Sequence, residues 1–210
     1  MRVDGEGRGL SLFARYLARQ FAEPSGLIGR LVIAPWLNRI GRRLNALALK
    51  LLAPQPGERS LEVGYGGGGL LRRLARLRPA RLVGVDVSAA VPRQIAGAEL
   101  VRAEAAALPF ADRSFDAVVS VSVLHFWLRL EPVLAEFGRV LRAGGRLVLV
   151  FEPPEALRRW AGHRHGFQLW SEADVVAAAA ASGLALEERR QGSGRKPDFF
   201  VGLRFRKGAG

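Results

Sequence analysis

The stretch from Leu61 to Leu71, LEVGYGGGGLL, constrains the fold more than any other part of the chain. An apolar run carries an acid at Glu62 and then enters a glycine-dense turn that opens helix-compatible sequence. Gly64, Gly66 and Gly68 permit positive φ and let the backbone approach a ligand without Cβ interference. Strand, tight turn and helix must therefore follow one another here, and a nucleotide-like ligand belongs at the turn.

The rest of the chain repeats that logic. Strand-like stretches fall near 59–63, 81–86, 98–102, 115–121 and 145–151, with helix-like stretches near 68–77, 89–96, 130–142 and 171–181 between or after them. Such alternation predicts an α/β fold, a three-layer, Rossmann-like arrangement around a mostly parallel sheet. Leu184–Arg190 and Phe199–Phe205 are joined through Gly192, Gly194 and Pro197 without a helix, so they should pair antiparallel and complete seven strands. Before this domain, Leu10, Phe13, Leu17 and Phe21 share one helical face, as do Leu37, Ile40, Leu44, Leu47 and Leu51, and Pro54 and Pro56 stop the second helix. Residues 1–55 thus read as an N-terminal helical appendage or lid and 56–207 as the main domain.

Composition excludes several chemistries. The 210 residues contain no cysteine, which removes disulfides, thiolate metal sites and thiol nucleophiles. Three histidines, His125, His163 and His165, do not form a metal-ligand pattern, so no metal is expected. No apolar run reaches the ~18 residues of a membrane span, and MRVDGEGRGL has no signal-peptide pattern, which makes the cytoplasm the default location. The formal charge of +13 invites a polyanion partner, yet only three of the basic residues are lysines and the arginines are scattered without a block of like charge. That distribution argues against nucleic acid and leaves peripheral contact with a membrane open. Nothing in the sequence specifies an oligomeric state.

The glycine loop by itself is ambiguous. It satisfies G-x-G-x-G and, through Gly64, Gly66 and Gly69, also G-x-G-x-x-G, with Asp86 about twenty residues on, where a ribose-binding acid is expected. A nicotinamide dehydrogenase fits the loop alone. Glu62 discriminates, because an acid at the strand end repels a pyrophosphate and favours a cation. Further on, Glu104 ends the third strand, where a carboxylate accepts from an adenine amino group, and RVLRAGGRLVLV at 139–150 reads as a helix stopped by glycines before a new strand.

In order and spacing these segments resemble the class I S-adenosylmethionine-dependent methyltransferases, specifically the small-molecule, methyltransferase type 11-like branch. The matching pattern is E-x-G-x-G-x-G, then V-x-D-x-S with Gly84 at its first position, L-P-F, F-D-x-V-x-S-x-x-x-L-H and R-V-L-x-x-G-G, and it covers about residues 57–151. Ala103-Glu104 stand where Gly-Asp is usual in that family, and Ala143 where proline is. The resemblance implies S-adenosylmethionine as cofactor, the familiar seven-stranded sheet with an antiparallel last strand, and a set of roles. Gly64, Tyr65, Gly66 and Gly68 would lie beneath the methionine portion and ribose, and Glu62 would help fix the cationic amino-acid end. Asp86 would accept from both ribose hydroxyls, with Val87 beside it, and the competing role for Asp86 is a helix N-cap. Glu104 and Ala105 would meet the adenine edge and Leu108 its face. Ser120 to His125 would border the transferring methyl.

His125 and Glu152 are the candidate bases, with packing the alternative for the histidine and solvent exposure for the glutamate. Asp116 reads as a fold-stabilising partner. Tyr16, Trp36, His163 and His165 are candidate acceptor contacts. A sulfonium already activates its methyl group, so alignment for in-line displacement is the main task, and a base is optional. The expected activity is methyl transfer to a small organic acceptor, lipid-like or natural-product in type. The alternatives are an RNA methyltransferase, a NAD(P)-dependent oxidoreductase and a catalytically silent cofactor-binding protein.

Overall fold

A computed structural model describes residues 41–89, 91–159, 161–164, 166–194 and 199–209. Seven strands form one sheet: β1 (Arg59–Val63), β2 (Arg81–Asp86), β3 (Glu99–Arg102), β4 (Phe115–Val121), β5 (Leu141–Phe151), β6 (Leu184–Ser193) and β7 (Phe199–Lys207). Their order is β3-β2-β1-β4-β5-β7-β6, parallel through β5, with β7 antiparallel to both β5 and β6. The order runs outward from β1 through β2 to β3 on one side and from β4 through β5 and β7 to β6 on the other. The crevice between β1 and β4 is therefore the topological switch point, where open α/β sheets bind ligands.

Both faces of the central strands are apolar, and the period of two separates them into two cores. Leu61, Val63, Val83, Val85, Val118, Leu147 and Leu149 face one way, under α3 (Glu131–Val140) and α5 (Glu172–Ala181). Leu82, Ala117, Val119, Val148 and Val150 face the other, under α1 (Arg42–Leu52) and α2 (Leu71–Ala75). Each fully buried leucine or valine adds roughly 1.5–3 kcal/mol of transfer free energy, which locks the register on both sides.

The amphipathic helix expected before Pro54 is α1. Leu44, Ala48, Leu51 and Leu52 are buried while Arg42, Arg43 and Lys50 are exposed. It packs directly on the sheet, where Gly202 makes room for it: a Cβ there would collide with Leu51 and Leu47. Arg146 then ties its end down, donating to Leu52 O at 3.0 Å and to Glu58 at 2.6 Å. Arg42–Leu52 is thus a layer of the main domain and not an appendage, because its apolar stripe has sheet to cover. The earlier helix expected near residues 10–22, with Tyr16 and Trp36, lies outside the described residues.

Two helix expectations need correction. The helix after the glycine loop is shorter than 68–77, spanning only Leu71–Ala75. Among the described residues of 87–98 there is no helix: Pro92 disfavours helical backbone at Val91, Gly97 sits at φ 78°, and Ile95 bridges to Ala98. The remaining elements agree closely with the pattern. β5 starts four residues before the expected 145, through a bulge around Gly144 at φ 69° between the pairs Phe115–Leu141 and Ala117–Arg146. No helix among the described residues is long and apolar enough to cross a membrane.

Candidate active site

The glycine loop follows β1 at the switch point, and its glycines are required for different reasons. Gly64 has φ 77°, and a Cβ there would overlap both methyls of Val123, so the loop lies directly against the chain leaving β4. Gly68, at φ 71°, similarly leaves room for Ile95 beneath it. Gly66 also has positive φ, 46°, but a Cβ there would meet only open space, so that side of the loop is unobstructed. Tyr65 belongs to the loop but sends its ring into the core, 6% exposed, and its hydroxyl donates to Pro92 O at 3.0 Å. Burial and the nearby Asp86 push that phenol up to about 12.

Two carboxylates control the electrostatics. Glu62, on β1, is 3% exposed, and its Oε2 has no hydrogen-bond partner. Burial pushes its carboxyl well above the usual range, the Asp86 charge adds to this, and the Leu71 N–H at the start of α2 opposes it. Asp86, at the end of β2, accepts from Gly66 N and Ser88 N, each at 2.9 Å. Its carboxyl is also raised by burial, against those N–H groups and that of Val87. Asp86 caps a turn, since no helix follows among the described residues, and three backbone N–H groups leave its carboxylate capacity for a further donor.

This wiring disfavours a pyrophosphate. A dinucleotide fold leaves loop and helix N–H groups free for the phosphates, whereas here Gly66 N serves Asp86 and Leu71 N serves Glu62. The loop presents two buried carboxyl groups, whose charged forms burial disfavours in the absence of a cation, and one orphaned buried oxygen. A buried polar atom without a partner costs about 1–3 kcal/mol, so Glu62 Oε2 is matched to a cationic donor. The ammonium and sulfonium of S-adenosylmethionine supply that charge, and vicinal hydroxyls suit Asp86. The residues present fit the cofactor.

The adenine side is less uniform. Val87 projects from the end of β2 with 58% of its surface exposed, an apolar face beside Asp86. β3 stops at Arg102, so Glu104 lies two residues past the strand and not at its end, and its side chain is exposed beside half-buried Ala105. Leu108 is 5% exposed in the core, and its backbone carries the structural role: Leu108 N donates to Glu136 at 2.7 Å. Arg139 donates to Leu108 O at 3.0 Å and Phe110 O at 2.7 Å and pairs with Asp112 and Glu136. Sequence reasoning missed this clamp; its signal is the i, i+3 spacing of Glu136 and Arg139 on α3, facing a loop that only the fold brings near.

At the exit of β4, Ser120 is buried and donates to Val63 O at 2.8 Å, bracing β1 rather than offering its hydroxyl to the crevice. His125 follows in a 3-10 turn, Leu124–Phe126. Its imidazole is 5% exposed, stacked on Phe167 at 4.3 Å and against Phe126 at 4.3 Å, with Nδ1 unpartnered. Burial drives its pKa down to about 3, so it stays neutral near pH 7 and is poorly suited to take a proton. The aromatic packing role is the one its surroundings support. Gln168 N donates to His125 O and Trp170 Nε1 to Trp127 O, which anchors the segment before α5 over this turn. His163 is half-buried in the 3-10 turn Ala161–Arg164. His165 lies outside the described residues.

Glu152, just past β5, is half-buried rather than solvated, and burial raises its carboxyl against the hydroxyl of Ser122 and its own N–H. Ser122 Oγ lies 2.9 Å from both Glu152 oxygens. Ser122 falls within the Ser120 to His125 stretch expected to border the methyl, but the sequence does not single it out there from Ser120; its contact and its φ of 56° distinguish it. Asp116, by contrast, is structural as expected, bonding Arg59 N at 2.7 Å and the side chains of Arg59 and Arg142.

Comparison with known proteins agrees with this geometry. A family model described as "Methyltransferase domain" matches residues 61–149. Over 96 residues the chain is 44% identical to a fatty-acid O-methyltransferase of Mycolicibacterium smegmatis, covering 42% of this chain and 35% of that protein. Over 112 residues it is 38% identical to a phthiotriol/phenolphthiotriol dimycocerosates methyltransferase of Mycobacterium leprae, covering 50% of this chain and 42% of that one. The chain thus spans less than half the length of these curated relatives. Among solved structures, a chain from the complex of the Haloferax volcanii Trm112 methyltransferase activator with the putative methyltransferase shares the fold, with TM-score 0.78 at 16% identity over 99% of this chain and 100% of that chain. A putative methyltransferase from Bacillus halodurans does so with TM-score 0.69 at 16% identity, over 79% and 99%. Residues 61–149 of this chain thus match a methyltransferase domain, and the chain is similar to methyltransferases in sequence and in fold.

Proposed function

We propose that the protein transfers the methyl group of S-adenosylmethionine to a small, lipid-like organic acceptor in the cytoplasm. The observation that carries this reading is the orphaned, buried Oε2 of Glu62 beneath the glycine loop, an acceptor awaiting a cationic ligand. In this reading Glu62 holds the amino-acid end, Gly64, Gly66 and Gly68 shape the loop, and Asp86 takes the ribose hydroxyls. Val87 covers the adenine, with Glu104 and Ala105 along its edge. The bound cofactor supplies an activated methyl, and the chain's own residues align the acceptor at the β1–β4 crevice and exclude water. The fatty-acid and phthiotriol-type relatives support a lipid-like acceptor. Acceptor contacts at His163, His165, Tyr16 and Trp36 remain part of the proposal.

Arg59, Arg139, Arg146, Arg189 and Arg204 are each committed to an ion pair within the fold and are not free for a phosphate backbone, which supports a small acceptor over RNA although the net charge stays at +13. Calorimetry with S-adenosylhomocysteine tests the reading. Binding is expected, and Glu62→Gln should weaken it at least ~10-fold, the cost of a lost charged hydrogen bond, without lowering the melting temperature of the ligand-free protein. Absence of binding, or unchanged affinity in the variant, refutes it.

A further inference from the structure

The cofactor, placed as proposed above, runs along β1, β2 and β3, so its reactive end faces the other side of the switch point, toward β4 and β5. Two residues meet there. Ser122 leaves β4 next to Val123, the residue that touches the glycine loop, and Glu152 leaves β5. Ser122 N is held by Val150 O at 2.8 Å, which fixes the serine although it is forced to φ 56°. A non-glycine residue there costs of order 1–3 kcal/mol and persists where the surroundings over-determine it, commonly at functional sites. Its hydroxyl lies at 2.9 Å from both carboxylate oxygens of Glu152, a geometry that suits an ionised carboxylate accepting one O–H. Pro153 and Pro154 stiffen the chain directly after Glu152. Among the described residues no charged side chain perturbs Glu152; its ionisation answers to burial, Ser122 and its own backbone N–H.

We propose that Ser122 and Glu152 form the acceptor-side pair of this methyltransferase and that they select a neutral hydroxyl acceptor over a carboxylate. The inference rests on the methyltransferase reading and specifies its acceptor. Glu152 takes the proton as the acceptor's O–H bond breaks, the freed oxygen pair forms the bond to the methyl carbon, and the carbon–sulfur pair returns to sulfur. Proton, methyl and charge then balance without a further reagent, and Glu152 returns its proton to solvent. A carboxylate acceptor needs no base, and an ionised Glu152 repels it, since juxtaposed like charges cost several kcal/mol. Ser122 is the positioning residue: it orients Glu152 and favours its charged form.

The test uses dodecan-1-ol and dodecanoic acid as probes on the protein saturated with S-adenosylhomocysteine at pH 8, with Glu152→Gln and Ser122→Gly as variants. Wild type should bind the alcohol at least ~10-fold more tightly than the acid, and Glu152→Gln should abolish that preference; in a separate assay with S-adenosylmethionine as donor and no added S-adenosylhomocysteine, it should lower transfer to the alcohol roughly 100-fold. Its affinity for S-adenosylhomocysteine should hold. Ser122→Gly accepts the positive φ, so the fold stays as stable or becomes more so. Loss of the hydroxyl should nevertheless move the 13C-detected titration of Glu152 in the ligand-free protein upward, together with the acid limb of kcat/KM. A purely structural serine would leave both unmoved. Equal binding of acid and alcohol, binding of neither, undiminished transfer by Glu152→Gln or an unmoved Glu152 titration overturns the proposal. A protein that also fails to bind S-adenosylhomocysteine refutes the broader reading instead.

Discussion

His125→Phe isolates the titration of one buried imidazole. In the fold, burial lowers the histidine pKa to about 3, whereas in the unfolded chain it titrates near its ordinary value of about 6.5. Between those values the unfolded state carries one proton more than the folded state, so stability falls as pH falls, by about 1.4 kcal/mol per pH unit. The contribution is absent above about pH 6.5 and saturates below about pH 3. Phenylalanine retains the stack on Phe126 and Phe167 and does not titrate. Whatever constant cost or gain the substitution brings, the stability of the variant relative to wild type should rise by about 2 kcal/mol from pH 6.5 to 4.5. Urea melts of both proteins at half-unit pH steps measure this directly. A pH-independent difference would show that His125 protonates inside the fold, and a histidine limb near pH 6.5 in kcat/KM would restore it as a base.

Other substitutions separate framework from ligand contact. Gly64→Ala should cost about 2–4 kcal/mol, because it combines positive φ with overlap at Val123. Gly66→Ala should cost about 1 kcal/mol in stability, since its Cβ enters open space, yet it should reduce S-adenosylhomocysteine affinity more than its stability loss explains; thermal melts with and without that ligand compare the two. Asp116→Asn should destabilise by about 1–2 kcal/mol at pH 7 after allowing for the solvent exposure of Arg59 and Arg142. Burial raises the Asp116 carboxyl, but hydrogen bonds from the two arginines outweigh it and hold it at about 2. Its contribution is therefore present above about pH 4 and lost as pH falls through about 2. A gap between variant and wild type that widened on acidification would contradict this assignment.

Local sequence determined what local physics controls. Period-two apolar runs specified five parallel strands and the antiparallel pair, since a one-residue slip would expose a whole face. The glycines of 64–68 specified a turn, and the acids at 62 and 86 its charge. The tertiary structure decided everything that depends on which chains meet. Pro92 and the buried Tyr65 replaced the expected helix after Asp86 with a bent loop. Gly202 let α1 into the core. Burial depth, which periodicity does not encode, turned His125 into a neutral packing residue and left Glu62 Oε2 without a partner. Ser122 reaches Glu152 across 30 residues of chain, and such a contact has no sequence signal because it exists only after β4 and β5 pair.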